Sequence, residues 1–270
     1  MSQPEGTPTP PAPPAGGGGG GNDYVEMAKK DLVPNVKTIL LDPIDGPKEV
    51  YDRSPDRKMM AIVLIVGTAL ACAVISTLWH MKELDAKFSV AAIWKGTITF
   101  ALAFAAIGAA VHGLRKFVEK KDDADLNDDL FMGGIVGAGF MIFHVALLIS
   151  TYTAPDKIKE AKGASLKAQG AMEFLGQDLW TMAGTFNISA IVALTGWVLV
   201  FLVLFNTMTK VGKVSSKVAF WATPVVIFIG SLAASYAAGA IIGDKGYEFE
   251  QKEGGGGGGG GGGWESDGDW

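Results

Sequence analysis

Residues 59–81 read MMAIVLIVGTALACAVISTLWHM, a run without a single Asp, Glu, Lys or Arg. At about 1.5 Å per helical residue it reaches roughly 35 Å, enough to cross the ~30 Å hydrocarbon core of a bilayer. A soluble helix of this length would show a broad polar face; here the polar residues are Thr68, Ser76, Thr77 and His80. Only a helix, whose backbone groups bond to one another, suits such a run in lipid.

Working outward, four further apolar stretches follow at 91–114, 130–153, 185–209 and 218–242. Together they predict an all-α fold, a polytopic transmembrane helical bundle of about five spans. The third stretch is rich in glycine, yet 131–152 again contains no Asp, Glu, Lys or Arg. Lys95 stands close enough to the start of the second to snorkel toward the headgroups. Trp79, Trp94, Tyr152 and Trp180 fall near the expected interfaces, where amphipathic rings collect. The whole chain is 49% hydrophobic and 19% charged, with the two classes segregated into blocks. Its net charge of −5 includes no basic stripe, which argues against a nucleic-acid partner. Cys72, the single cysteine, permits no internal disulfide.

The expected organisation has four parts. Residues 1–22, Pro- and Gly-rich, and 244–270, a Gly-rich acidic tail carrying Trp264 and Trp270, cannot bury enough apolar area to fold. Residues 23–57 form a juxtamembrane segment with a helix lying at the interface, ended by Pro43 and Pro47. Residues 58–243 form the five-helix transmembrane domain. The connection 154–184 mixes apolar and charged residues at helical spacing and reads as an amphipathic surface helix or hairpin. The start lacks the pattern of a cleaved signal peptide. With the N-terminus inside, Lys and Arg near the span ends number eleven on the inner side and eight on the outer, which favours that orientation.

Residues that could carry chemistry are few. His80, His112 and His144 all fall within or at the ends of spans, and intramembrane histidines raise haem ligation. Their heights argue against a shared iron: counted from the inner end, His144 lies near 20 Å, His80 near 30 Å and His112 close to the inner surface. His80 and His112 are then interfacial, and His144 bonds a neighbouring helix. No Asp or Glu lies mid-membrane, so the ion or proton site of a coupled transporter is not expected. Asn187 and Asn206 read as bonding across helices. The acidic run Asp122, Asp123, Asp125, Asp128 and Asp129 lacks the glycine and glutamate of an EF-hand and reads as a solvated loop. No phosphate loop, metal spacing or nucleophile motif appears, so no catalytic residue, metal or cofactor is expected. Small residues give a clearer pattern: Gly133 and Gly137 in the third span, and Ser231, Ser235, Gly239 and Gly243 in the fifth. Such stripes let helices approach closely, either within one bundle or toward a partner.

The order of elements also resembles a known family. Lys37-Thr38-Ile39-Leu40-Leu41-Asp42-Pro43 leads through Gly46-Pro47-Lys48-Glu49-Val50-Tyr51 into the first span. The third opens with Asp128-Asp129-Leu130-Phe131-Met132-Gly133-Gly134, the fourth ends at Asn206-Thr207-Met208-Thr209-Lys210-Val211, and the fifth carries Pro224. Over about residues 35–243 this is similar to the bacterial branch of the Yip1-like membrane family. The resemblance implies five spans, a cytoplasmic N-terminus and, for a bacterial member, the inner (plasma) membrane. The Asp-Leu-Tyr-Gly-Pro signature of the eukaryotic trafficking members is absent.

The functional expectation is a non-catalytic integral membrane protein acting as scaffold, organiser or accessory subunit through helix–helix and membrane-surface contacts. Its partners would be membrane lipid and either further copies of the chain or a membrane complex. A channel or transporter for a neutral solute is the alternative, and a haem-binding redox subunit the third reading.

Overall fold

The computed structural model describes residues 21–84, 90–153 and 188–242, which are almost wholly helical, with no strand among them. Helix α1 (Gly21–Met27) passes through a π-helical turn (Ala28–Leu32) into α2 (Val33–Leu41), and α3 (Gly46–Arg53) follows. The long helices are α4 (Arg57–Leu84), α5 (Val90–Gly113), α6 (Leu126–Thr153), α7 (Ile188–Asn206) and α8 (Ser216–Ile242). π turns at Leu114–Val118 and Thr207–Val211 extend α5 and α7. All five expected spans are present as helices long and apolar enough to cross a membrane. The expected amphipathic connection 154–184 and both low-complexity tails lie outside the described residues, apart from the start of α1 at Gly21.

Helix α6 is the hub. It packs against α4, α5 and α7, while α8 packs chiefly on α5. Inside the protein lies 72% of the α6 span, against 33–44% for the other four. Lipid tails are as apolar as leucine, so burial alone gives α6 no reason to sit there. Close packing does. A side chain at Gly134 would meet Leu64 Cβ of α4 at 2.7 Å, and one at Gly133 would overlap the Phe104 carbonyl of α5. Opposite, Gly108 of α5 leaves room for the Asp129 carbonyl, which a Cβ would meet at 2.7 Å.

The juxtamembrane segment is docked on this bundle. Leu32 covers Gly67, ten residues into α4, and the Asn35 amide donates to Met60 Sδ at 3.4 Å. Ile39 and Val50 are fully buried with Leu64, Phe131 and Ile135. The helix does stop before Pro43, with Asp42 Oδ1 accepting from the backbone N–H groups of Ile44 (3.0 Å) and Asp45 (2.8 Å). Those backbone donors, Asp45 foremost, hold the Asp42 carboxyl below its ordinary range. Pro47 opens α3 instead of ending a helix, since the first turn has no use for its missing N–H.

The two described chain reversals between long helices share one device at one end of the bundle. After α5, Glu119 N–H bonds the Leu114 carbonyl and Lys121 N–H the Arg115 carbonyl, with Lys120 at φ 52°. After α7, Gly212 N–H bonds the Thr207 carbonyl and Val214 N–H the Met208 carbonyl, with Lys213 at φ 52°. The two reversals are also tied together. Lys121 Nζ donates to the Lys213 carbonyl, and Ser215 donates to Glu119 Oε1 from its backbone N–H (3.2 Å) and its hydroxyl (2.7 Å).

Candidate functional site

At this same end the structure builds a buried cluster of ionisable side chains. The last turns of α5 place His112 and, in the following π turn, Arg115 three residues later, the spacing that sets side chains on one face. The first turn of α6 supplies Asp128 and Asp129. Asp129 is 0% exposed; its Oδ1 accepts from Arg115 Nη1 at 2.5 Å, and its Oδ2 lies 2.8 Å from His112 Nδ1. Arg115 is itself buried, and its Nε has no hydrogen-bond partner. The carboxylate also sits where the unpaired N–H groups of the helix start favour negative charge.

Asp128 closes a second junction. It accepts the Tyr51 hydroxyl from α3 at 2.7 Å and the Arg57 guanidinium from α4 at 3.3 Å. Arg57 also lies 4.2 Å over the Tyr51 ring, within range of a cation–π contact. Burial, and then the bond to Asp128, push the Tyr51 hydroxyl up to about 12. Two neighbouring aspartates thus tie α3, α4 and α5 to the start of α6. Around them, Arg53 donates to Asn35 Oδ1 (2.7 Å from Nη2), Thr38 and Glu49, and Lys210 pairs with Asp45 at 2.6 Å.

These findings correct the reading of the acidic run. Asp122, Asp123 and Asp125 are exposed, as a solvated loop requires, but Asp128 and Asp129 belong to α6 and are held by cations. The third span therefore starts at Leu126, four residues ahead of its expected start at 130. His112 is likewise more than an interfacial residue, since it pairs with Asp129.

The remaining candidates are dispersed. His144 is buried in α6, its Nδ1 donating to the Phe140 carbonyl at 2.8 Å and its ring set edge-on to Phe100 of α5 at 5.0 Å. Phe100 precedes His112 by twelve residues on α5, about 18 Å along the axis, so His112 and His144 cannot be the two axial ligands of one haem. The contact of Gly137 with Thr68 sets the α4–α6 register. It places the backbone of His80 beside residue 149, about 8 Å beyond His144. Among the described residues no group of three His, Cys, Asp or Glu could hold a metal ion.

Gly133 and Gly137 face α5 and α4, inside the bundle. In α8, Ser231 is buried with its hydroxyl on the Ile227 carbonyl, Ser235 Oγ is buried without a partner, and Gly239 faces open space. Gly243 and Asn187 lie outside the described residues. Asn206 donates to Leu202 on its own helix at 2.8 Å. Two local signals could have pointed to the charged cluster: acids just ahead of an apolar run, and His112 with Arg115 on one helix face. No protein family, curated protein or solved structure matches the chain, so the reading of its function rests on its own residues.

Proposed function

We propose that this is a non-catalytic integral membrane protein, a scaffold, organiser or accessory subunit that works through contacts within and beside the bilayer. The observation that carries this reading is the position of α8. It packs on α5 along one side, touches α7 only lightly, and turns Phe220, Phe228, Leu232 and Tyr236 outward. Near its far end, Gly239 leaves a notch in that outer surface. A helix held on one side with a large aromatic face on the other is available to a helix of another subunit.

The polar groups within the spans favour this over transport. Thr68, Thr77, Thr97, Thr99, Thr223 and Ser231 each donate to a carbonyl one turn back on their own helix. Such hydroxyls are satisfied internally and do not line a path for solute. The charged end, with its docked N-terminal helices, supplies a surface for a soluble or peripheral partner. A cytoplasmic N-terminus, supported by the flanking Lys and Arg, belongs to the same proposal, as do a bacterial inner membrane and a Yip1-like arrangement, which rest on the order of the sequence motifs.

The test is affinity purification of the tagged chain in mild detergent with mass spectrometry, paired with a liposome flux assay over a panel of neutral solutes. A stoichiometric partner without flux is the expected result. Saturable flux of one solute, with no partner, would replace this reading with the transporter.

A further inference from the structure

Between the charged end of α5 and the start of α8 runs an open groove of about 610 Å³. Ala110, Gly113 and Leu114 line one wall; Trp221, Ala222 and Ile229 line the other. The groove exists because small residues face it: a side chain at Gly113 would meet nothing closer than Phe117 at 4.0 Å. Its rim is charged at one end only, where Lys217 joins the lining, and no acidic residue is part of it. The remainder is apolar apart from the indole N–H of Trp221, which sits one turn beyond Lys217 and is largely exposed.

We propose that this groove holds the acyl chain of an anionic phospholipid, with the headgroup phosphate on Lys217. Two features choose this occupant. The first is length. From Lys217 to Ile229 the α8 wall rises twelve residues, about 18 Å, against roughly 15 Å for one leaflet of a ~30 Å hydrocarbon core. The α8 wall is therefore about as long as one acyl chain, and the facing α5 wall, from Ala110 to Val118, covers about 12 Å of it. The second is charge: Lys217 is the one charged residue of the groove's lining, the Trp221 ring lies one turn beyond it, and the rest of the lining is apolar. Lysine placed there meets a phosphate while its stem stays along the apolar wall.

The test uses the full chain reconstituted in vesicles of equal parts phosphatidylcholine and phosphatidylglycerol, then re-extracted in mild detergent, with co-retained lipid counted by native mass spectrometry. The expected result is retention of phosphatidylglycerol about fivefold over phosphatidylcholine, the effect of one lysine at an anionic surface. Lys217→Gln, at an exposed position, should bring that ratio to about one. Gly113→Leu, at a position where an added Cβ meets nothing closer than 4.0 Å, should lower the number of lipids retained whatever their headgroup. Equal retention of the two lipids by the unaltered chain, or no effect of either variant, would overturn the proposal. So would a second protein chain seated in place of lipid.

Discussion

In its first turn α6 is held by charge; one turn further on it is held where side chains are missing. Asp128 and Asp129 reach cations on α4 and α5, whereas Gly133 and Gly134 bring the same neighbours close to the α6 backbone and Gly137 leaves room for the Thr68 and Phe104 side chains. The two regions fail differently. A buried ion pair adds little net stability, because desolvating both charges offsets their attraction, yet removing one partner strands the other in a medium that cannot solvate it. A glycine contact contributes through many small dispersion terms and fails when an added atom forces the helices apart. The charged end therefore specifies which helices meet, and the glycines let them meet closely.

The largest effect should come from the charged end. Asp129→Ala leaves Arg115 buried without its counter-charge and should cost about 3–5 kcal/mol in reversible unfolding from detergent micelles. Combining it with Arg115→Met should recover much of that loss. A double variant as unstable as the single one would mean that the pair is not what matters. Second comes a contrast within the small residues. Gly133→Leu should cost at least 1–3 kcal/mol because a carbonyl occupies the space, while Gly239→Leu, with nothing near it, should stay within about 0.5 kcal/mol. Equal effects would erase the distinction between packed and open stripes.

Third, Tyr51→Phe removes a hydrogen bond to a carboxylate at a half-buried site and should cost about 1.5 kcal/mol. It also carries a pH signature. The folded protein holds the Tyr51 proton up to about pH 12, whereas an unfolded tyrosine releases it near 10. The folded state thus binds the proton more tightly. Its contribution is complete below pH 10 and is lost as pH rises toward 12. Melting curves across that window should fall more steeply for the native chain than for the Phe variant. The smallest effect belongs to the exposed pair Lys29–Glu26, 3.2 Å apart on one helical run, where Lys29→Ala should shift stability by no more than about 0.5 kcal/mol.

The same contrast explains what could be read from the sequence. Spans announce themselves locally, since twenty apolar residues in a row have one stable form in lipid, and all five were legible. The glycines that face α4 and α5 could be flagged, but not which of them face inward. Gly133 and Gly239 look alike in the chain, and only the neighbouring helix separates them. The charged cluster was the least legible part. Asp129 meets Arg115 across fourteen residues of sequence, and Asp128 meets Tyr51 across seventy-seven. Pairing at that separation leaves no periodic trace, and a run of five acids reads as a loop. The docking of Leu32 on Gly67 was hidden for the same reason.

The most direct test of the contact-based account is the mass of the particle released from native membranes by a membrane-excising polymer, without detergent. More than one polypeptide per particle is expected, either further copies of this chain or a fixed partner, and deletion of α8 should reduce it to one. A particle holding a single copy of the chain and lipid alone would contradict it.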